Sequence, residues 1–236
     1  MKQIINKIEE TEEKISNLED RLYEEENENE IKVLERKIEV QNDILEKLQE
    51  DLELFEDVDI EADEDYKIAV EDWGLYNEGI LCCKWWDSNA SYEEIETYYK
   101  LKRKYLASSC DPDEVELFIA DYETPFKCSE HDNIEDILDR LNELYALDDD
   151  DITKLTFLME HQGLDFDEAL HNYDDVVIYE NSTMEDIAIE FVDSCYNLED
   201  MMGSLSRYFD YEALGRDMEI EGNFTNINGD IYEYRR

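Results

Sequence analysis

Tyr66-Lys67-Ile68-Ala69-Val70-Glu71-Asp72-Trp73-Gly74-Leu75-Tyr76-Asn77-Glu78-Gly79-Ile80-Leu81-Cys82-Cys83-Lys84-Trp85-Trp86 is where the pattern of the chain changes. Lys67 to Trp73 and Ile80 to Trp86 are rich in β-branched and aromatic residues, and Tyr76-Asn77-Glu78-Gly79 between them is a turn signal. The spacing predicts a β-hairpin. In its second arm Cys82 and Cys83 are neighbours, and on a strand neighbouring side chains point to opposite faces.

Upstream the period is helical. Ile4, Ile8, Ile15, Leu18 and Leu22 recur at heptad spacing, and so do Ile31, Leu34, Ile38, Leu45, Leu48, Leu52 and Phe55. The frame slips across the polar run from Glu24 to Glu30. An antiparallel helical hairpin turning near Asn27 to Asn29 fits this pattern, and so does one interrupted helix zipped against a second chain; the hairpin is the favoured reading. Glu56 to Asp65, seven of whose ten residues are acidic, reads as a linker.

Downstream, Tyr92 to Leu106 has helical periodicity, Asp111-Pro112 breaks it, and Val115 to Tyr122 reads as a strand. Residues 130–174 read as helices. Their apolar stripes are Ile134, Ile137, Leu138, Leu141 and Leu144, then Ile152, Leu155, Leu158 and Met159, with Phe166, Ala169 and Leu170 marking a short third helix. A strand from Asp175 to Tyr179 follows, then a helix from Met184 to about Tyr196 and further helix to Leu214. Asn223 to Ile227 and Asp230 to Tyr234 flank Asn228-Gly229, a strong hairpin signal. The expectation is an elongated α+β protein in four parts: a helical hairpin or coiled coil with acidic linker (1–65), an α+β unit (66–129), a helical unit (130–174) and a C-terminal α+β unit (175–236).

Charge dominates the composition. The chain of 236 residues has 68 Asp and Glu against 21 Lys and Arg, a formal net of -47, yet is 42% hydrophobic with 16 Tyr, 8 Phe and 3 Trp. Disordered acidic chains lack that apolar and aromatic content. Residues 1–65 carry 25 acidic and 8 basic side chains; residues 128–200 carry 23 acidic ones against Arg140 and Lys154 alone. Surface ion pairs do not neutralise such a stretch, so the protein is either a solubilised acidic surface or one that uses its field on a basic partner.

Catalytic chemistry finds no foothold. His131, His161 and His171 have no ligand spacing, there is no GxSxG, GxxxxGK[ST] or GxGxxG, and no enzyme activity or cofactor is expected. Cys82, Cys83, Cys110, Cys128 and Cys195 are odd in number and form no CxxC, so they are read as reduced, partly buried thiols. Asp148 to Asp151 precede a helix, where carboxylates cap and meet the dipole, and they fail the EF-hand pattern for want of a Gly at loop position six. Lys100, Lys102, Arg103 and Lys104 are the only basic cluster, and direct nucleic-acid binding is not expected beside so much negative charge. No apolar run approaches the roughly 20 residues that cross a bilayer. The expected setting is the cytoplasm.

From about Lys67 onward the chain resembles the ArdA family of antirestriction proteins. The resemblance rests on Leu75-Tyr76-Asn77-Glu78-Gly79 with Lys84-Trp85, on Ile119-Ala120-Asp121-Tyr122-Glu123-Thr124-Pro125-Phe126, and on Tyr208-Phe209-Asp210-Tyr211-Glu212-Ala213-Leu214-Gly215-Arg216-Asp217 followed by Glu219 to Phe224. It implies a homodimer whose acidic surface imitates B-form DNA and occupies the DNA-binding groove of type I restriction-modification enzymes. The carboxylates that would form the mimic surface are Glu135, Asp136, Asp139, Glu143, Asp148, Asp149, Asp150, Asp151, Asp165, Asp167, Glu168, Asp174, Asp175, Glu185, Asp186, Glu190 and Asp193. Tyr208, Phe209 and Tyr211 would serve the dimer or its core. Tyr76, Trp85 and Tyr122 read as core or dimer contacts, and Arg216 as half of a structural ion pair. Residues 66–236 carry 43 acidic and 13 basic side chains, a net of -30; duplex DNA carries one charge per about 1.7 Å, so two copies of that segment match the charge of roughly 100 Å of duplex. The N-terminal 65 residues are foreign to the ordinary members. An alternative is an acidic adaptor recruiting its partner through the N-terminal helices, and another is a DNA mimic aimed at a different DNA-binding defence complex.

Overall fold

The computed structural model describes residues 1–222 and 224–235 and contains two compact units, Met1–Ala146 and Leu147–Arg236. The first opens with the helical hairpin, α1 (Lys2–Glu24) and α2 (Glu28–Val58), which turns where Asn27 caps α2 by accepting from the Asn29 N–H at 3.0 Å. Ile4, Ile15, Leu34, Leu48 and Phe55 are buried along the predicted seam. The hairpin is thus formed within one chain.

β1 (Lys67–Asp72) is the centre of a three-stranded antiparallel sheet ordered β2-β1-β3. A short α3 (Trp73–Asn77) follows β1, then β2 (Lys84–Asp87), α4 (Tyr92–Leu106), β3 (Leu117–Glu123) and α5 (Ile134–Tyr145). The predicted hairpin exists, with its turn displaced. Asp72 accepts from the Leu75 N–H at 2.9 Å and so starts a helix where a turn was expected, and Gly79, at φ +78, follows its end. Ile80 to Cys83 therefore form a connection, and Cys82 and Cys83 are not on a strand. The acidic linker is also shorter than expected. α2 runs on to Val58, and the remainder is tied down: Asp87 Oδ2 accepts from the Asp63 and Glu64 N–H groups, and Lys84 pairs with Asp59 at 2.6 Å.

Arg103 and Asp72 bind this unit together. The guanidinium meets the carboxylate in a two-pronged pair at 2.7 and 2.8 Å, with Arg103 4% and Asp72 0% exposed. Arg103 Nη1 also donates to the carbonyls of Asp111 and Glu114, and the Glu116 N–H donates to Asp72 at 3.0 Å. Gly74 leaves room for this, because a Cβ there would lie 2.4 Å from the guanidinium. The hairpin docks on α4 beside it: Phe55 stacks on Tyr98 at 5.4 Å, Lys102 lies over both rings, Lys7 lies over Tyr105, and Asp51 accepts from Lys104 and Tyr105.

The second unit contains α6 (Asp149–His161), α7 (Phe166–Asn172), β4 (Val176–Tyr179), α8 (Met184–Cys195), α9 (Leu198–Met202), α10 (Tyr211–Ile220), β5 (Phe224–Ile227) and β6 (Asp230–Tyr234). Its sheet has the order β4-β6-β5, both pairings antiparallel, with Asn228 and Gly229 at φ +56 and +102 in the two-residue turn. That is the left-handed pair of a tight hairpin. The strand predicted from Asn223 is seen from Phe224, Asn223 itself lying outside the described residues. The helix expected up to Leu214 is interrupted: α9 ends at Gly203, φ +57, a 3-10 turn covers Gly203–Tyr208, and Asp210 caps α10 anew. α10 crosses α8 so closely at Gly215 that a Cβ would stand 2.4 Å from the Met184 carbonyl oxygen.

Replacing Arg103 by Met should cost about 3–5 kcal/mol, because it leaves the Asp72 charge buried and alone. Asp72→Asn in the same chain should restore part of the loss, and denaturant unfolding of the two single variants and the double variant measures the coupling. Glu78 sets a pH dependence. Its carboxylate accepts from the Ser108 N–H, the Ser109 hydroxyl and the N–H groups of Ser109 and Cys110, which together lower its pKa to about 2. A depressed carboxylate contributes stability that is full above the ordinary carboxylate range and is lost as pH falls towards 2. A carboxyl-carbon NMR titration should show Glu78 still ionised at pH 3.

Candidate protein-binding surface

The acidic side chains are arranged by helix starts. Asn133 caps α5 ahead of Glu135 and Asp136; Asp148 caps α6 ahead of Asp149, Asp150 and Asp151; Asp165 and Glu168 form a capping box on α7; Thr183 and Asp186 form another on α8. Each carboxylate of a first turn meets the positive end of the helix dipole and the free N–H groups there, worth about 0.3–1 kcal/mol apiece. This is how a chain so acidic remains folded. Asp186 shows the effect in its own ionisation, its pKa lowered by the Thr183 hydroxyl and N–H.

Of the carboxylates singled out in the sequence, Asp151 is half-buried and the rest are exposed. Asp151 pairs with Lys154 at 3.0 Å. Those on α5 lie in the first unit and those of α6 to α8 in the second. Each helix turns an apolar stripe inward, Ile134, Ile137, Leu138, Leu141 and Leu144 on α5, and Ile187, Ala188 and Val192 on α8, which leaves the acidic stripe to water.

Glu135, Asp139 and Glu143 stand four residues apart on α5, and Asp186, Glu190 and Asp193 follow one another at four and three on α8. Like charges at these spacings repel by about 0.2–0.5 kcal/mol per pair. Neither helix has a basic residue in its last turn to offset them.

The cations of α4 are engaged within the first unit. The basic cluster read in the sequence is taken up by the fold: Lys100 pairs with Glu96, Lys102 covers Phe55 and Tyr98, Arg103 holds Asp72, and Lys104 holds Asp51. Arg140 lies 6.0 Å from the centre of the Phe126 ring. Three carboxylates are structural, for Glu71, Asp72 and Asp87 are buried and receive backbone N–H groups. Among the described residues no cluster of His, Cys, Asp and Glu is arranged to hold a metal ion. No helix is long and apolar enough to cross a membrane.

The aromatic residues divide. Trp85 and Tyr122 are half-buried, whereas Tyr76 is 47% exposed although it packs edge-on against Trp73 and Phe118. Phe209 and Tyr211 are half-buried against each other at 5.0 Å, but Tyr208 is 76% exposed. Arg216 is exposed and forms no ion pair among the described residues, contrary to the structural role read for it. The thiols also correct the expectation. Cys82, Cys110 and Cys128 are half-buried, with desolvation raising each pKa, while Cys83 and Cys195 are exposed. Sequence reasoning missed Met201, Met202 and Leu205, exposed beside Tyr208 on α9 and the 3-10 turn; Met201, Leu205 and Tyr208 recur at four and three residues, a spacing that reads equally as a buried helical face.

Fold and surface define an acidic α+β protein that displays most of its carboxylates at its surface and buries one arginine, Arg103, in its interior. The family description "Antirestriction protein (ArdA)" matches residues 68–233, more than half of the chain, and the protein belongs to that family. No curated protein sequence matches it. The match starts after the helical hairpin, which is an addition to the family's region.

Asp139→Lys replaces two repulsive pairs on α5 by attractive ones with Glu135 and Glu143. It should stabilise the fold by about 1 kcal/mol, measured by denaturant unfolding at low salt.

Proposed function

We propose that the protein is a DNA mimic which occupies the DNA-binding groove of type I restriction-modification enzymes in the cytoplasm and excludes DNA by competition, without turnover or cofactor. One observation carries the reading: acidic columns on α5 and α8 are kept in water although their spacing costs stability, and Arg140 is the one basic residue on the two helices. A surface maintained against its own repulsion is explained by a partner that supplies the opposite charge. A single helix with a charge every fourth residue has one charge per about 6 Å of axis, sparser than a strand of DNA at about 3.4 Å. Carboxylates from several helices must therefore act together, and the mimic surface is the set from Glu135 to Asp193 already named. Their contacts with Lys and Arg of the groove would release the anions bound there.

The proposal divides the labour by segment. Residues 66–129 scaffold, 130–174 and the start of 175–236 present charge, and the segment with Tyr208, Phe209 and Tyr211 pairs two copies into a homodimer. Exposure of Tyr208, Met201 and Leu205 supports that last assignment. Tyr208→Ala, which touches no core, should weaken dimerisation at least tenfold in sedimentation equilibrium with the circular dichroism unchanged.

In a gel-shift titration the protein should strip DNA from a type I modification enzyme at near-stoichiometric amounts and leave free DNA unshifted, with inhibition weakening as salt rises. Reversing Asp136, Asp139, Glu143, Glu185, Asp186 and Glu190 together should abolish inhibition in a folded protein, whereas Glu135→Lys alone should cost little. Enzyme and DNA remaining bound throughout would end the mimic reading.

A further inference from the structure

The helical hairpin has a groove whose chemistry is the inverse of the rest of the molecule. Its walls are Lys14 and Leu18 of α1 and Val33, Arg36, Lys37 and Val40 of α2, and no carboxylate lines it. Val33 and Val40 are 50% and 54% exposed, and Ile44, one turn on, is 41% exposed. Val33, Lys37, Val40 and Ile44 recur at four, three and four residues, so they share one stripe, set beside the seam residues Leu34, Leu45 and Leu48. Exposed valines lower helix propensity in a helix otherwise rich in Glu, Lys and Leu, so solvation alone does not explain them.

An occupant of this groove must offer both apolar side chains and negative charge. Phosphate backbones lack the apolar stripe. A second copy of the same face would oppose Lys14, Arg36 and Lys37 to themselves. A lipid surface suits a broad convex face better than a channel between two helices. A helix laid in the channel satisfies both conditions and fits its shape, with apolar residues at i, i+4 and i+7 on the valines and carboxylates along its edges. The stripe from Val33 to Ile44 is about 16 Å long, three turns of helix. Beyond about 8–10 Å physiological salt screens the chain's own negative charge, so the local cations decide the contact.

We propose that this groove is a docking site for an acidic amphipathic helix of a partner protein. The groove lies outside residues 68–233, the region that the family match covers.

The test uses the full chain and a blocked, labelled peptide with the sequence of residues 133–147, an apolar stripe carrying four carboxylates and one arginine. Fluorescence anisotropy should show saturable binding with a Kd on the order of 10 μM. Val40→Asp and Lys37→Glu should each weaken it at least tenfold with helix content unchanged, and a peptide with its carboxylates replaced by amides should fail to bind. Absence of saturable binding, or binding indifferent to both variants, overturns the proposal. So does dissociation of a dimer by Val40→Asp, which would give the face to a second copy. Lys37-dependent sedimentation with phosphatidylserine vesicles, without peptide binding, would assign it to a membrane and overturn the proposal as well.

Discussion

A single buried ion pair, Asp72 with Arg103, positions most of the first unit. The carboxylate ends β1, caps α3, receives the Glu116 N–H at the approach to β3 and clamps the guanidinium of α4, while the other side of that guanidinium holds the carbonyls of Asp111 and Glu114. Two strands, two helices and a loop meet at two side chains. Such pairs contribute little net stability against a well-packed apolar alternative, but they are severe when half-broken, so their effect is to exclude other arrangements. That matters in a chain with 68 carboxylates, where many wrong acidic partners for an arginine exist. Only the arrangement with Gly74 beneath the guanidinium provides space, full desolvation and every hydrogen bond at once.

The carboxylates of this protein do three physically different things. Glu71, Asp72 and Asp87 are interior acceptors for backbone donors. Asp148 and Asp165 accept from backbone N–H groups of the first turn of their helices, and Asp186 accepts from the Thr183 N–H at the N-cap of α8, satisfying groups that water would otherwise have to satisfy. Asp139, Glu143, Glu190 and Asp193 sit in helix bodies at spacings that work against the fold. Several lysines and arginines of the first unit are held over aromatic rings and against individual carboxylates. Lys84, for example, lies over Trp86 and Tyr98 while pairing with Asp59.

Period and turn chemistry made much of this legible from the residues. The heptads of α1 and α2, the apolar stripe of α5, Tyr92 to Leu106 and the hairpin around Asn228-Gly229 are local patterns whose partners lie nearby in sequence. The misplaced arm at Ile80 to Cys83 has a local cause too: Asp72 capped a helix that the turn signal at Tyr76 to Gly79 concealed. The Asp72–Arg103 pair was not legible, because its members are 31 residues apart and nothing marks one carboxylate among 68 as the buried one. The acidic surface was read correctly as exposed, except at half-buried Asp151, since charge without nearby cations has nowhere else to go. Met201, Met202 and Leu205 escaped, although Tyr208 beside them was named for the dimer or its core, because an apolar residue in sequence looks like core until its surroundings are known.

The docking of the hairpin on α4 separates two boundaries that are easily confused. The family's region starts at residue 68, but the packing does not respect that line: Phe55, 1% exposed, and Asp51 reach across it to Tyr98, Lys102, Lys104 and Tyr105. Shared ancestry and cooperative folding are thus cut at different places in this chain. An expression clone trimmed to the ancestral segment would strip one side of α4 of its cover and leave an aromatic surface in water, a recipe for precipitation. The appended helices have become part of the core of the protein that acquired them.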